Sequence, residues 1–278
     1  MAIRLVVDSG TDLLKNVAQE RNIEIVPLKV SFGPESFTDG VDIDHDLFYE
    51  KMRTSAHIPA TSLPSPQDFI DAFSRIGAQH HIICITISAV TSGTYQSAKI
   101  AMESLPDYRI TLIDSKNISM ATGAMALMAS DMIKSGAELP QVVDAINAMI
   151  PNMHTFIAIN DWTNVIKGGR VSNWQGGLAQ VLNIKPTLYL TPEGQIHVKD
   201  KARGRKRQLA NVLTFIAETG KNLREGTIYM LHSVAPQEEL DRMEADLRAR
   251  FNPAEVVIYR LGPIMGSHGG FGTIGFVV

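Results

Sequence analysis

Ser92 is the residue of this 278-residue chain whose setting most invites chemistry. It closes the run Ile85-Thr86-Ile87-Ser88-Ala89-Val90-Thr91-Ser92-Gly93, where a β-branched, uncharged segment gives way to hydroxyls and a glycine. A serine there can cap the next helix, and the free backbone N–H groups of a helix start favour an anion. Thr61-Ser62 offers two further hydroxyls on a stretch stiffened by Pro59, Pro64 and Pro66, a good clamp and a poor hinge. Arg170 follows the paired glycines of Lys167-Gly168-Gly169-Arg170, and His268, flanked by Gly266, Gly269 and Gly270, is expected to face a cleft. Two kinds of chemistry use such a set. Hydroxyls beside the free N–H groups of a helix start can hold an anion without reacting. Alternatively, Ser92 is the nucleophile of a serine hydrolase and His268 its base, with Asp8 or Asp114 as acidic orienter. That second reading lacks its usual frame, because Ser92-Gly93 has no G-x-S-x-G elbow to expose a nucleophile. A sugar- or nucleotide-binding regulator is a third use of the same residues, with no phosphate loop beside it. Each residue also has a purely structural use, as helix cap, loop hydroxyl, ion-pair partner or packed histidine.

Residues 81–87 are predicted as a buried strand with Ser92 as N-cap of the helix through Ile100, Ala101 and Leu105. Residues 3–7 form a first strand ending in Asp8-Ser9-Gly10-Thr11-Asp12, so Asp8 and Ser9 share the carboxyl-end rim where open α/β sheets gather ligands. Residues 23–32 read as one strand interrupted by Pro27, and 45–54 as a helix capped by Asp44. Ser65, Pro66 and Asp68 make a helix start, which leaves Thr61 and Ser62 as loop hydroxyls. A strand over 108–113, helices over 118–135 and 139–150, and a strand over 153–159 continue the alternation that argues a parallel sheet. The methionines of 118–135, among them Met120, Met125, Met128 and Met132, suit core filling and also a lipid tail.

The character changes near residue 160. After Gly168-Gly169 ends one helical segment, Arg170 is expected to open another. Residues 184–190 and 195–201 flank Thr191-Pro192-Glu193-Gly194 as a β-hairpin. Lys199, Lys201, Arg203, Arg205, Lys206 and Arg207 form a basic run entering a helix over 205–219. Basic charge at a helix N-terminus opposes the macrodipole, which points to an anionic partner and marks Arg203 and Arg205 as docking residues. A strand over 227–234, a helix over 236–251 and a strand over 255–261 complete a second α/β domain. The division expected is 1–157 and 158–278. Gly270 to Gly275 matches G-x-G-x-x-G, but only Phe276-Val277-Val278 follow, without a helix or a later acidic residue, so a dinucleotide site is rejected.

Composition bounds the function. A net charge of −3 with 20% charged residues implies no nucleic-acid binding. The single Cys84 falls in a predicted buried strand, so no disulfide framework is expected. The histidines lack metal spacing, and neither a signal peptide nor a stable membrane insertion is expected, which gives a cytoplasmic protein.

Taken together, Val7-Asp8-Ser9, Thr61-Ser62-Leu63-Pro64-Ser65-Pro66, Ser92-Gly93-Thr94-Tyr95-Gln96-Ser97-Ala98, Ile113-Asp114-Ser115, Lys167-Gly168-Gly169-Arg170-Val171-Ser172, Leu182-Asn183-Ile184-Lys185-Pro186 and Gly266-Ser267-His268 resemble the DegV family of fatty-acid-binding proteins. The resemblance implies two α/β domains, the first a mainly parallel sheet with helices on both faces, the second a mixed sheet containing the hairpin, with a ligand cleft between them. It implies a long-chain fatty acid in a buried tunnel, with no cofactor and no catalysis of its own. The carboxylate would be held at the domain interface by Thr61 and Ser92, with Ser62, Gly93, His268 and Arg170 close by. Members called FakB present the fatty acid to a separate kinase that makes an acyl phosphate for phospholipid synthesis, the partner expected at Arg203 and Arg205. Leu63, Ser267 and Phe271 depart from the family pattern at positions that bear on acyl-chain preference and kinase docking.

Overall fold

The computed structural model describes residues 2–172 and 183–278. The chain divides into two compact units: Met1–Asn152 with Pro192–Gly194 and Gly262–Met265, and Met153–Thr191 with Gln195–Leu261 and Gly266–Val278. In the first unit the elements run β1 (Ile3–Asp8), α1 (Lys15–Glu20), β2 (Ile23–Val26), β3 (Lys29–Phe32), β4 (Glu35–Thr38), α2 (His45–Thr54), β5 (Ala60–Ser62), α3 (Pro66–Ile76), β6 (His81–Thr86), α4 (Thr94–Glu103), β7 (Arg109–Asp114), α5 (Ser119–Lys134) and α6 (Leu139–Met149).

β2, β1, β6 and β7 form a parallel sheet in that order. Its central strands are apolar on both sides, as a sheet covered on both faces requires. Val6, Ile82 and Cys84 pack with Phe69, Phe73, Ala98 and Ala101 of α3 and α4. The alternate residues Leu5, Val7, Ile83 and Ile85 point to the other face and are equally buried. α5 packs on β1 and β6. It is buried nearly all round, with Met120 and Met125 wholly enclosed. The chain passes from β2 at the edge back over β1 to β6, so the strand order reverses between β1 and β6. In open α/β sheets that switch point is where ligands bind, outside the carboxyl ends.

Two expectations need correction. Residues 23–32 are two strands in different sheets, because Pro27 has no N–H to continue the ladder and the chain turns after Val26. Thr61 and Ser62 lie in a short strand rather than a loop: β5 pairs antiparallel with β3, Thr61 opposite Val30, in a three-stranded sheet ordered β4-β3-β5. The α3 start has the geometry its residues predict. Ser65 Oγ accepts the Asp68 N–H at 3.3 Å and Asp68 accepts the Ser65 N–H at 2.7 Å, a reciprocal capping box with Pro66 at the first helical position.

The second unit contains β8 (Thr155–Ala158), α7 (Trp162–Gly168), β9 (Ile184–Leu190), β10 (Ile196–Arg203), α8 (Arg205–Glu218), β11 (Thr227–His232), α9 (Gln237–Phe251), β12 (Glu255–Arg260) and β13 (Ile274–Val277); α10 (Pro263–Gly269) begins in the first unit and ends in the second. Its six strands are ordered β10-β9-β8-β13-β11-β12, a mixed sheet in which β9 and β10 are the hairpin and β11 and β12 are parallel. Phe156, Leu209, Val212, Ile216, Met230, Leu240, Met243 and Phe276 build its core. β13 lies between β8 and β11, so the glycine-rich tail supplies a central strand and, in α10, a helix that the sequence pattern does not mark. The helix expected to open at Arg170 does not begin there: Val171 forms an isolated bridge with Ile196 and the Ser172 N–H donates to the Ile196 carbonyl at 2.9 Å, so the chain leaves α7 extended beside β10, and positions 173–182 lie outside the described residues.

Candidate functional site

At the switch point of the first unit, Asp8 is fully buried. Its Oδ1 accepts the Gly10 N–H at 2.9 Å and its Oδ2 accepts the Ile87 N–H at 2.8 Å, which ties the end of β1 to the end of β6. Burial pushes its carboxyl up to about 7, against the pull of those two donors. Asp114, at the end of β7, does the same for its neighbours, accepting the Ala89 and Lys116 N–H groups at 3.1 and 2.9 Å. The Ser9 hydroxyl accepts the Leu28 N–H at 3.0 Å. Asp8, Ser9 and Asp114 are thus committed to holding strand ends and loops, which is their structural use; the contact from Asp8 to Ile87 joins neighbouring strands 79 positions apart in sequence and has no signal in the local sequence.

The turn those carboxylates hold carries Ser92. The N-cap of α4 is Gly93, without a side-chain bond of its own. Ser92 stands one residue earlier than its expected position, half-buried, and its Oγ still meets the helix start by accepting the Thr94 N–H at 3.3 Å. Its Oγ lies 2.8 Å from the hydroxyl of Thr94, a fully buried residue absent from the expected site. The only signal for it is a second hydroxyl two positions on, in Ser92-Gly93-Thr94. Gly93 and Leu63 are close neighbours: a Cβ at Gly93 would come within 3.0 Å of Leu63 Cδ2, the end of an exposed side chain. Leu63, just past β5, therefore brings the Thr61-Ser62 stretch against the Ser92 turn. Thr61 is half-buried and Ser62 exposed. The first unit thus carries Ser92 and Gly93 in the loop beyond the carboxyl end of β6 in the parallel sheet, and Thr61 and Ser62 in β5 of the three-stranded sheet, next to the Leu63 that approaches Gly93.

In the second unit, the two glycines before Arg170 have distinct reasons. A Cβ at Gly168 would sit 2.5 Å from His268 Nδ1, so the imidazole occupies the space a side chain would need. Gly169 ends α7 in the left-handed region at φ 64°, where glycine carries no penalty. Arg170 is exposed, and its Nη1 donates to the Gly168 carbonyl. His268, half-buried, has its pKa pushed down to about 4, first by burial and then by the Arg170 guanidinium nearby. At neutral pH it is an uncharged imidazole.

The basic run divides. Arg203, Lys206 and Arg207 are exposed. Arg205 is committed inward: Nε and Nη2 engage Glu239 at 3.1 and 2.8 Å, Nη1 donates to the Ala158 carbonyl and Gln208 Oε1, and Nη2 also donates to the Gly272 carbonyl. The misfit of a cation at the α8 start is met at Arg205 by an internal carboxylate. Among the described residues no group of His, Cys, Asp and Glu is arranged to hold a metal ion, and no helix is long and apolar enough to cross a membrane.

Residues 2–278 match the model of the DegV family. A DegV domain-containing protein of Caldanaerobacter subterraneus is 30% identical over 96% of this chain and 95% of its own. Among solved structures, a DegV family protein from Thermus thermophilus described by its fatty acid binding has a TM-score of 0.90 at 28% identity, covering 100% of this chain and 99% of that one. A DegV family protein from Ruminococcus gnavus, refined with vaccenic acid, has a TM-score of 0.89 at 25% identity and covers 100% of both chains.

Proposed function

The chain belongs to the DegV family, and on that premise we propose that it binds a long-chain fatty acid and acts as a carrier. The observation that carries this reading is the match, over the whole chain, to the fatty-acid-binding protein of Thermus thermophilus. The carboxylate partners on this reading are the Ser92 and Thr61 hydroxyls, with Ser62 and Gly93 beside them, and His268 and Arg170 of the second unit. A carboxylate taken out of water must be paired and hydrogen-bonded. Hydroxyl donors, a neutral imidazole and an arginine meet that need without any group being poised to attack. The carrier has no catalysis of its own, and a cytoplasmic location fits a protein that hands its ligand to a soluble enzyme.

That enzyme is proposed to be a fatty acid kinase, which phosphorylates the carboxylate of the presented acid. Of the two docking residues expected, Arg203 is the exposed one. Arg203→Glu should reduce kinase-dependent acyl-phosphate formation while leaving fatty acid retention unchanged; turnover equal to wild type removes Arg203 from the docking surface. The direct test of the carrier is native mass spectrometry of the purified protein, with identification of what denaturation releases. A stoichiometric long-chain fatty acid, lost in Ser92→Ala while the fold is kept, is the expected result. A protein that arrives empty and takes up neither oleate nor palmitate overturns the carrier, and labelling of Ser92 by a fluorophosphonate would then favour the hydrolase.

A further inference from the structure

The Ser92 turn contains a hydroxyl pair whose hydrogen-bond directions follow from burial. Thr94 is fully buried, and its Oγ1 lies 2.8 Å from Ser92 Oγ. Ser92 is half-buried, so its own proton can reach an acceptor outside the protein core. Were Ser92 the donor, the Thr94 proton would be left without an acceptor among the described residues, and a buried unmade donor is expensive. Thr94 therefore donates and Ser92 accepts. The Thr94 backbone N–H donates to the same oxygen at 3.3 Å. A serine hydroxyl has two acceptor lone pairs and one proton. Both lone pairs of Ser92 Oγ are then engaged, and its remaining capacity is its own O–H.

We infer that Thr94 is a positioning residue that fixes Ser92 as an obligate hydrogen-bond donor to a ligand oxygen. The inference rests on the fatty-acid reading and deepens it: the wiring selects a head group that accepts, such as a carboxylate, and rejects one that only donates, such as a primary ammonium. It also works against Ser92 as a nucleophile, because attack requires a lone pair that here is held by a donor.

The test uses delipidated full-length protein, [1-¹³C]palmitate and hexadecylamine, with wild type, Thr94→Val and Thr94→Ser compared at pH 7.5. Valine keeps the shape and removes the hydroxyl; serine keeps the hydroxyl. Thr94→Val should weaken palmitate binding about tenfold, the worth of one good hydrogen bond to a charged group, and shift the bound carboxyl resonance. Thr94→Ser should restore both. Hexadecylamine affinity should not fall in either variant. Wild type that binds palmitate alongside a Thr94→Val variant with the same affinity and the same resonance overturns the wiring and leaves the fatty-acid reading standing. A loss in Thr94→Val that Thr94→Ser does not rescue also overturns it, as a packing effect. Wild type that takes up no palmitate fails the fatty-acid reading itself.

Discussion

Asp12 sits at φ 54°, almost wholly buried, with Oδ1 accepting the Gly262 N–H at 2.9 Å and Oδ2 accepting the Ser119 hydroxyl. Burial raises its pKa from 3.8 to about 7, although both bonds favour the ionised form. Between those values the folded chain holds a proton that the unfolded chain has released. The stability this group leaves intact is full below about pH 4, declines as pH rises through 7, and is level above. Asp12→Asn removes the dependence at little structural cost: asparagine tolerates the left-handed region, its oxygen can take the Gly262 N–H, and its amide can donate to Ser119. Urea unfolding should find the variant equal to wild type near pH 4 and more stable at pH 8 by up to about 4 kcal/mol, since the pKa rises by about three and each pKa unit is worth about 1.4 kcal/mol. A variant less stable at pH 8 would show that the buried charge is held favourably. His268 has the opposite sign. Its folded pKa of about 4 lies below its ordinary 6.5, so its contribution is present above 6.5 and is lost as pH falls toward 4. His268→Gln should flatten the unfolding profile over that window alone, and an imidazole ¹⁵N spectrum should show a neutral ring at pH 6.

α8 shows how far an element can be read from its residues. Its pattern from Arg205 to Glu218 is legible, and so is the strain of three cations in its first turn, Arg205, Lys206 and Arg207. The relief of that strain is not legible, because Glu239 lies 34 residues away on α9 and only the fold brings it to 2.8 Å. Arg205→Ala should cost about 3 kcal/mol in urea unfolding, since it leaves Glu239, only 15% exposed at its side chain, and two backbone carbonyls without their donor. Arg203→Glu, an exposed change, should stay within about 0.5 kcal/mol of wild type; a large loss there would make Arg203 structural. The same contrast runs through the molecule. The 81–86 strand is readable because its β-branched run is buried on both faces, whereas Ile274–Val277 is four residues among glycines and owes its central place to β8 and β11. β3, β4 and β5 are too short, and too broken by prolines, to carry a period. At the site, Ser92 and Thr61 are legible as hydroxyls at strand ends. Thr94 is not, because its role depends on being buried beneath Ser92.

For the molecule as a whole, a carrier differs from a hydrolase in what its ligand does to stability. Removing a sixteen-carbon tail from water is worth on the order of 10 kcal/mol gross at about 0.8 kcal/mol per methylene, before the costs of ordering and association. A ligand bound only by the folded chain stabilises it by RT ln(1 + [L]/Kd), about 2.7 kcal/mol at a free concentration of 100 Kd. On the carrier reading, stripping bound lipid from this protein should therefore lower its melting temperature by roughly 5 °C, and added palmitate should restore it in a concentration-dependent way. The charge of the ligand then makes the effect selective. Palmitate methyl ester retains the tail and a carbonyl acceptor but loses the negative charge, so it should give a smaller shift than the acid in wild type. In Arg170→Gln the acid should lose most of that advantage, while the ester should be unchanged. Equal shifts for acid and ester in wild type would take the negative charge out of recognition and Arg170 out of the carboxylate's company. Hydrolysis of the ester, with the released acid remaining bound, would instead bring Ser92 forward as a nucleophile.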